Sequence, residues 1–234
     1  MTIDNKNQND KINFELNKSF NIKYKYGNKP INRINPSSTY EGKYRLLDEL
    51  KNEIQSINDC EIKKNAGKLV FGEGDIFSDL MIVGEAPGEK EDGVGKPFVG
   101  DAGILLNKML KAINLNREKL YLTNVVYFRP PNNRRPEIDE ITRYSYFIKK
   151  HISIIKPKIL LLLGSVAMEA LLGSKAKITH ERGKWKEIIV QNKTFLTMAS
   201  FHPAYLLRLP EKKKEAWVDL QELQKKIKEL KLKF

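Results

Sequence analysis

The run Ile159-Leu160-Leu161-Leu162-Leu163, closed by Gly164, constrains the fold more than any other stretch, because consecutive aliphatic side chains leave no polar face for solvent. A strand sends alternate side chains to opposite faces, so such a run suits a sheet covered on both sides, as parallel sheets are. Leu80 to Val83, ending at Gly84, has the same character. Around these runs the pattern alternates: strand 79–83, helix 101–113, strand 120–126, helix 137–155, strand 158–163, helix 165–173, strands near 186–190 and 194–199, and a terminal helix from about 211. This alternation predicts an α/β fold with a mostly parallel sheet covered on both faces. Ser165, just after Gly164, is placed to cap the following helix. The closing stretch repeats Trp217, Leu220, Leu223, Ile227 and Leu230, an amphipathic helix with a basic outer face.

The chain of 234 residues is long enough for one sizeable core. Residues 1–42 are rich in Asn and Lys, poor in large aliphatics and broken by Gly27, Pro30 and Pro36, so they bury too little apolar surface to offset ordering and read as a flexible segment. From residue 43 the pattern changes, with Leu46, Leu47, Leu50, Ile54 and Ile57 on one helical face, and the folded domain is expected to span 43–234. The chain holds 42 Lys and Arg against 29 Asp and Glu, a net charge of +13, which favours a polyanionic partner such as nucleic acid, although a compositional bias would give the same balance. One cysteine, Cys60, cannot form an intramolecular disulfide, no apolar run approaches the roughly 20 residues of a membrane span, and no signal core follows the first residues. These features lead us to expect a soluble, cytoplasmic protein without a membrane partner.

Chemistry in an open α/β sheet gathers beyond the carboxyl ends of its strands. Four segments fall there: Gly84 to Phe98, Asn124 to Arg135, Ser165 to Met168, and Phe201 to Arg208. Phe98, in KPFVG, either stacks on a nucleobase or pins its loop. The Asn124 amide offers a donor beside an acceptor, suited either to a pyrimidine edge or to a loop backbone. His202, before Pro203, sits at a helix start and either donates to a developing oxyanion or is satisfied internally. Arg208 is either a phosphate contact or a solvated charge. The scattered His151, His180 and His202 form no metal-ligand pair with one another or with Cys60, and Gly164-Ser165 lacks the second glycine of a nucleophile elbow.

Taken in order, VFGEGD at 70–75, GEAPGEKED at 84–92, GKPFVGDAGILLNKML at 95–110, TNVVYFRPPNNRRP at 123–136, KPKILLLLG at 156–164, ITHERGKW at 178–185 and SFHPAYLLR at 200–208 resemble family 4 uracil-DNA glycosylases. The resemblance implies a three-layer α/β/α sandwich around a mostly parallel four-stranded sheet, a monomer, uracil-containing DNA as partner, and excision of uracil in base-excision repair. Carried over by position, it places Glu85 and Ala86 in the loop that holds the attacking water, with the Ala86 backbone in the part of a catalytic carboxylate. Glu91 would border the uracil pocket, Phe98 would stack on the everted base, Asn124 would bond its edge, and His202 would face the uracil O2. Arg208 and Arg134 would contact DNA.

Members of that family usually hold a [4Fe-4S] cluster on four cysteines. Here Cys60 stands at the second position, while Ile57, Phe128 and Tyr144 occupy the other three, and one thiolate cannot hold the cluster. The expectation is a chain with no cofactor, in which packing by Ile57, Phe128 and Tyr144 ties the N-terminal helix to the sheet. A second reading is a catalytically degenerate DNA-binding module with the same cleft. A third takes GEAPG as the phosphate loop of a nucleotide hydrolase, but the G-x-x-x-x-G-K-[ST] pattern is missing.

Overall fold

The computed structural model describes residues 39–58, 60–173 and 177–234, so most of the segment expected to be flexible lies outside the described residues. Its last residues are helical. Helix α1, Tyr40–Gln55, starts three residues before the expected boundary because Thr39 Oγ1 accepts the Gly42 N–H at 3.0 Å and the Tyr40 and Tyr44 rings pack 4.6 Å apart. A short helix α2, Glu61–Asn65, follows Cys60.

Six strands form one sheet: β1 Glu73–Gly74, β2 Leu80–Gly84, β3 Tyr121–Asn124, β4 Ile159–Leu163, β5 Trp185–Val190 and β6 Lys193–Ser200, in the order β1-β3-β2-β4-β6-β5. The four central strands are mutually parallel, as the apolar runs required, and an antiparallel strand at each edge enlarges the expected four to six. β1, only two residues long, carries no readable pattern. β5 joins β6 through Gln191 and Asn192, both at positive φ, the backbone that matches strand twist in a two-residue hairpin.

Period-two alternation divides the core between two layers. Met81, Val83, Leu160 and Leu162 pack with Leu47, Leu50 and Ile54 of α1, with Ile148, Ile152 and Ile155 of α5 (Ile138–Ile155), and with Val166 and Ala167 of α6 (Ser165–Leu172). On the other face, Leu80, Ile82, Ile159, Leu161 and Leu163 meet Leu106 and Leu110 of α4 (Asp101–Ala112, preceded by α3, Glu89–Val94). That layer also takes Leu220, Leu223 and Ile227 of α9 (Lys213–Glu229), which follows α7, Ile178–Glu181, and α8, Pro203–Arg208. Each fully buried aliphatic side chain contributes about 1.5–3 kcal/mol, so this sandwich is the dominant stabilising feature. Trp217 and Leu230, expected on the buried stripe of the last helix, are 42% and 43% exposed.

Because β2, β3, β4 and β6 run the same way, they end together, at Gly84, Asn124, Leu163 and Ser200. Buried Asp219 of α9 fixes that edge from behind: its carboxylate takes two bonds from Arg182, at 2.6 and 3.0 Å, and one from Ser200 Oγ at 2.6 Å. No described helix is long and apolar enough to cross a membrane.

Candidate active site

A cavity of about 290 Å³ opens at the carboxyl ends of β2, β3 and β6, and Glu85, Ala86, Glu91, Phe98, Asn124, Arg134, His202 and Arg208 all line it. Three loops build it rather than four. Ser165 to Met168 takes no part, because Gly164, at φ 91°, turns the chain straight into α6 and buries Val166, Ala167 and Met168 in the core. Gly164 itself occupies the cap position expected of Ser165, and a Cβ on it would lie 3.1 Å from His202 Cβ.

Phe98 has left-handed backbone, φ 54°, a conformation that costs a non-glycine residue about 1–3 kcal/mol and persists only where neighbours enforce it. Its ring is buried, lies over Gly84 and faces the His202 imidazole at 6.0 Å between centroids and 29° between planes. These two rings form one wall.

Asn124, the last residue of β3, is buried, yet its amide forms no hydrogen bond with any described residue. Neither amide atom is sealed off, since the only sealed side-chain polar atom without a partner among the described residues is Trp185 Nε1. A donor and an acceptor thus stand open to the cavity. His202 caps α8, with Nδ1 accepting the Ala204 N–H at 3.2 Å. Burial, helped by the nearby Arg208 charge and opposed by Glu91, lowers its pKa to about 4, so the ring is neutral near pH 7. With Nδ1 used as an acceptor, the ring proton belongs on Nε2, and the residue is a hydrogen-bond donor rather than a cation.

Glu85 is half-buried, and desolvation raises its carboxyl pKa against the pull of Arg135 and Arg208. Arg208 is exposed at the rim and forms no ion pair with a described residue, so its charge is available to an anion. Two of the lining residues also carry structural hydrogen bonds that the sequence did not reveal. The Glu91 carboxylate accepts backbone N–H groups of Gly88, Val99 and Gly100, at 3.2, 2.9 and 2.7 Å, binding the GEAPG loop to the PFVG loop instead of presenting a free edge. The Arg134 guanidinium is engaged by both carboxylate oxygens of Glu140, at 2.6 and 2.8 Å, which holds it to the first turn of α5.

Asn133 and Tyr205 also line the cavity and were not foreseen. Asn133 had a signal in its RPPNN turn, where Asn132 and Asn133 both adopt φ 54°, and Tyr205 lies one turn after His202.

Cys60, Phe128 and Tyr144 belong to the core layer beside α1, Ile57 packs against that layer, and none of the four lines the cavity. Cys60 Sγ meets Tyr144 Oη at 3.2 Å, and the Phe128 and Tyr144 rings are 6.4 Å apart. Two of these four side chains have no donor atom and a third is a hydrogen-bonded phenol, so the set does not fit an iron–sulfur cluster. Among the described residues no group of three or more His, Cys, Asp or Glu is placed to hold a metal.

Residues 71–221 match the family model described as the uracil DNA glycosylase superfamily. The chain is 41% identical over 192 residues to the type-4 uracil-DNA glycosylase of Sulfurisphaera tokodaii, covering 79% of this chain and 84% of that protein. It is 38% identical over 164 residues to the type-4 uracil-DNA glycosylase of Thermotoga maritima, covering 70% and 84% respectively. With the type-4 uracil-DNA glycosylase of Archaeoglobus fulgidus the identity is 36% over 181 residues, covering 76% and 91%.

Proposed function

The chain belongs to the uracil DNA glycosylase superfamily, among its type-4 proteins, and from that premise we propose that it hydrolyses the N-glycosidic bond of uracil in DNA, leaving an abasic site for base-excision repair. The observation that carries this reading is one cavity combining a stacking ring, an open amide, a neutral imidazole donor and a rim arginine.

Breaking the bond leaves positive charge on the sugar and negative charge on the departing base, and stabilising that separation is most of the catalytic task. A base everted from the duplex stacks on Phe98, while the Asn124 amide reads its edge. His202 Nε2–H donates to the uracil O2 as charge accumulates there; a neutral donor does so without first losing a proton. The Glu85-Ala86 loop holds the attacking water through the Ala86 backbone, with Glu85 nearby to favour the cationic sugar. Arg208 engages a phosphate beside the lesion. In this reading the protein acts as a cytoplasmic monomer and needs no iron–sulfur cluster, packing around Tyr144 having replaced it. Elemental analysis of anaerobically purified protein should then find no stoichiometric iron, and the solution should be colourless.

The deciding measurement is abasic product from a uracil-containing oligonucleotide after alkaline cleavage. Phe98→Ala and His202→Ala should each reduce turnover about tenfold or more, with the melting transition intact. A wild-type protein that retards DNA in a gel without releasing base would instead be a DNA-binding module.

A further inference from the structure

Arg117, in the short 3-10 turn Arg117–Lys119 that leads into β3, belongs to none of the recognised motifs and does not line the cavity. Its guanidinium nevertheless lies behind the cavity wall. Nη2 donates to Pro97 O at 2.6 Å and to Glu73 Oε2 at 3.1 Å, while Nη1 donates to Phe98 O at 2.9 Å and to Asn107 Oδ1 at 3.0 Å. Each of the four terminal hydrogens thus has an acceptor.

We propose that Arg117 is a positioning residue that acts through Phe98, and the proposal rests on the glycosylase reading above. The carbonyls of Pro97 and Phe98 belong to the two peptide planes on either side of the Phe98 Cα. Holding both planes fixes φ and ψ of that residue, and with them the direction of its ring. Phe98 needs this because it sits at φ 54° without being a glycine. The second plane is held at its far end too, since the Val99 N–H donates to Glu91 Oε1 at 2.9 Å. Gly103 makes room by leaving α4 open where the Phe98 carbonyl rests against it. Glu73 supplies the countercharge: hydrogen bonds from Lys96 and Arg117 outweigh desolvation and keep its carboxyl pKa below the ordinary value. A rigid planar fork can span two carbonyls in this way, whereas the single ammonium of lysine cannot reproduce it.

The test is a double-mutant cycle between Arg117 and Phe98, read by single-turnover uracil release and by the affinity of the free uracil base in ligand-observed NMR. Arg117→Ala should slow release roughly tenfold to a hundredfold, as expected of a misplaced reacting geometry, and weaken uracil binding, with duplex affinity unchanged. Arg117→Lys should recover little of this. In a Phe98→Ala background, Arg117→Ala should have almost no further effect, the sign of two residues acting as one unit. Losses that simply multiply, or an Arg117→Lys protein with normal release and binding, would overturn the proposal. If Arg117→Ala does not fold, the Arg117→Lys half of the cycle decides the matter alone. A wild-type protein that neither releases nor binds uracil would overturn the glycosylase reading and this one with it; an active wild type with unaffected variants would overturn only the role of Arg117.

Discussion

A Cβ on Gly84 would lie 2.5 Å from Phe98 Cζ and closer still to Asn124 Oδ1, so the residue that ends β2 leaves the room in which the stacking ring and the reading amide meet. Gly84→Ala should therefore displace both groups at once. The expected result is a loss of uracil turnover of roughly a hundredfold, with overpacking costing only about 1–3 kcal/mol of stability in urea melts; a normal rate in this variant would show that neither group needs its observed place. Asn124 and His202 were legible in the sequence because one stands where a buried strand must end and the other where a proline opens a helix, and Phe98 because an aromatic in KPFVG, between a proline and a glycine, suits neither a core strand nor a helix. Arg117 was not, since its partners at Glu73, Pro97, Phe98 and Asn107 are brought together only by the fold. Glu91 and Arg134 both line the cavity, but their hydrogen-bond partners were not legible, because a sequence reveals a charge without revealing which backbone or carboxylate has already engaged it.

At the scale of elements, the parallel centre was readable because strands buried on both faces leave an uninterrupted aliphatic signature, as in β2 and β4. The edge strand β1 was not, being two residues paired through backbone alone. Loops pose the harder problem, and here Glu91 decides how two of them sit. Three backbone N–H groups converge on its carboxylate, from Gly88 on one loop and from Val99 and Gly100 on the other. Glu91→Gln removes the charge and turns a donor toward groups that need an acceptor. Hydrogen bonds to a charged group contribute about 1.5–3 kcal/mol each, so a loss of roughly 2 kcal/mol is expected, together with faster hydrogen exchange at the Gly88, Val99 and Gly100 amides. Slower turnover with unchanged stability and exchange would return Glu91 to the role of a direct uracil contact.

For the molecule as a whole, two imidazoles, His151 in the core and half-buried His202 in the cavity wall, set its behaviour in acid. His151 is fully buried between Tyr121 Oη at 2.8 Å and Tyr127 Oη at 3.1 Å, and desolvation lowers its pKa to about 3, beside about 4 for His202. An unfolded histidine titrates near pH 6.5. Below that pH the unfolded chain binds protons that the folded chain refuses, so the stabilisation is complete above about pH 6.5 and is lost as pH falls toward the folded values, at up to about 1.4 kcal/mol per pH unit for each ring. Glu85 and Asp219 work the other way, because burial raises their carboxyl pKa and lets the folded form take up protons, which offsets part of the loss. Glu73 and Glu140, whose pKa values are lowered, begin to withdraw their contributions as pH falls into the ordinary carboxylate range, where the unfolded chain takes up protons first. The interval from about pH 6.5 down to about 4.5 therefore belongs mainly to the histidines. Urea denaturation across it should show unfolding free energy falling steadily, while turnover per folded molecule shows no inflection near pH 6.5, because His202 already acts as a neutral donor. A free energy independent of pH in that interval would mean that the rings are hydrated or protonated in the fold, and a sharp rise in turnover through pH 6.5 would mean that His202 must first lose a proton to work.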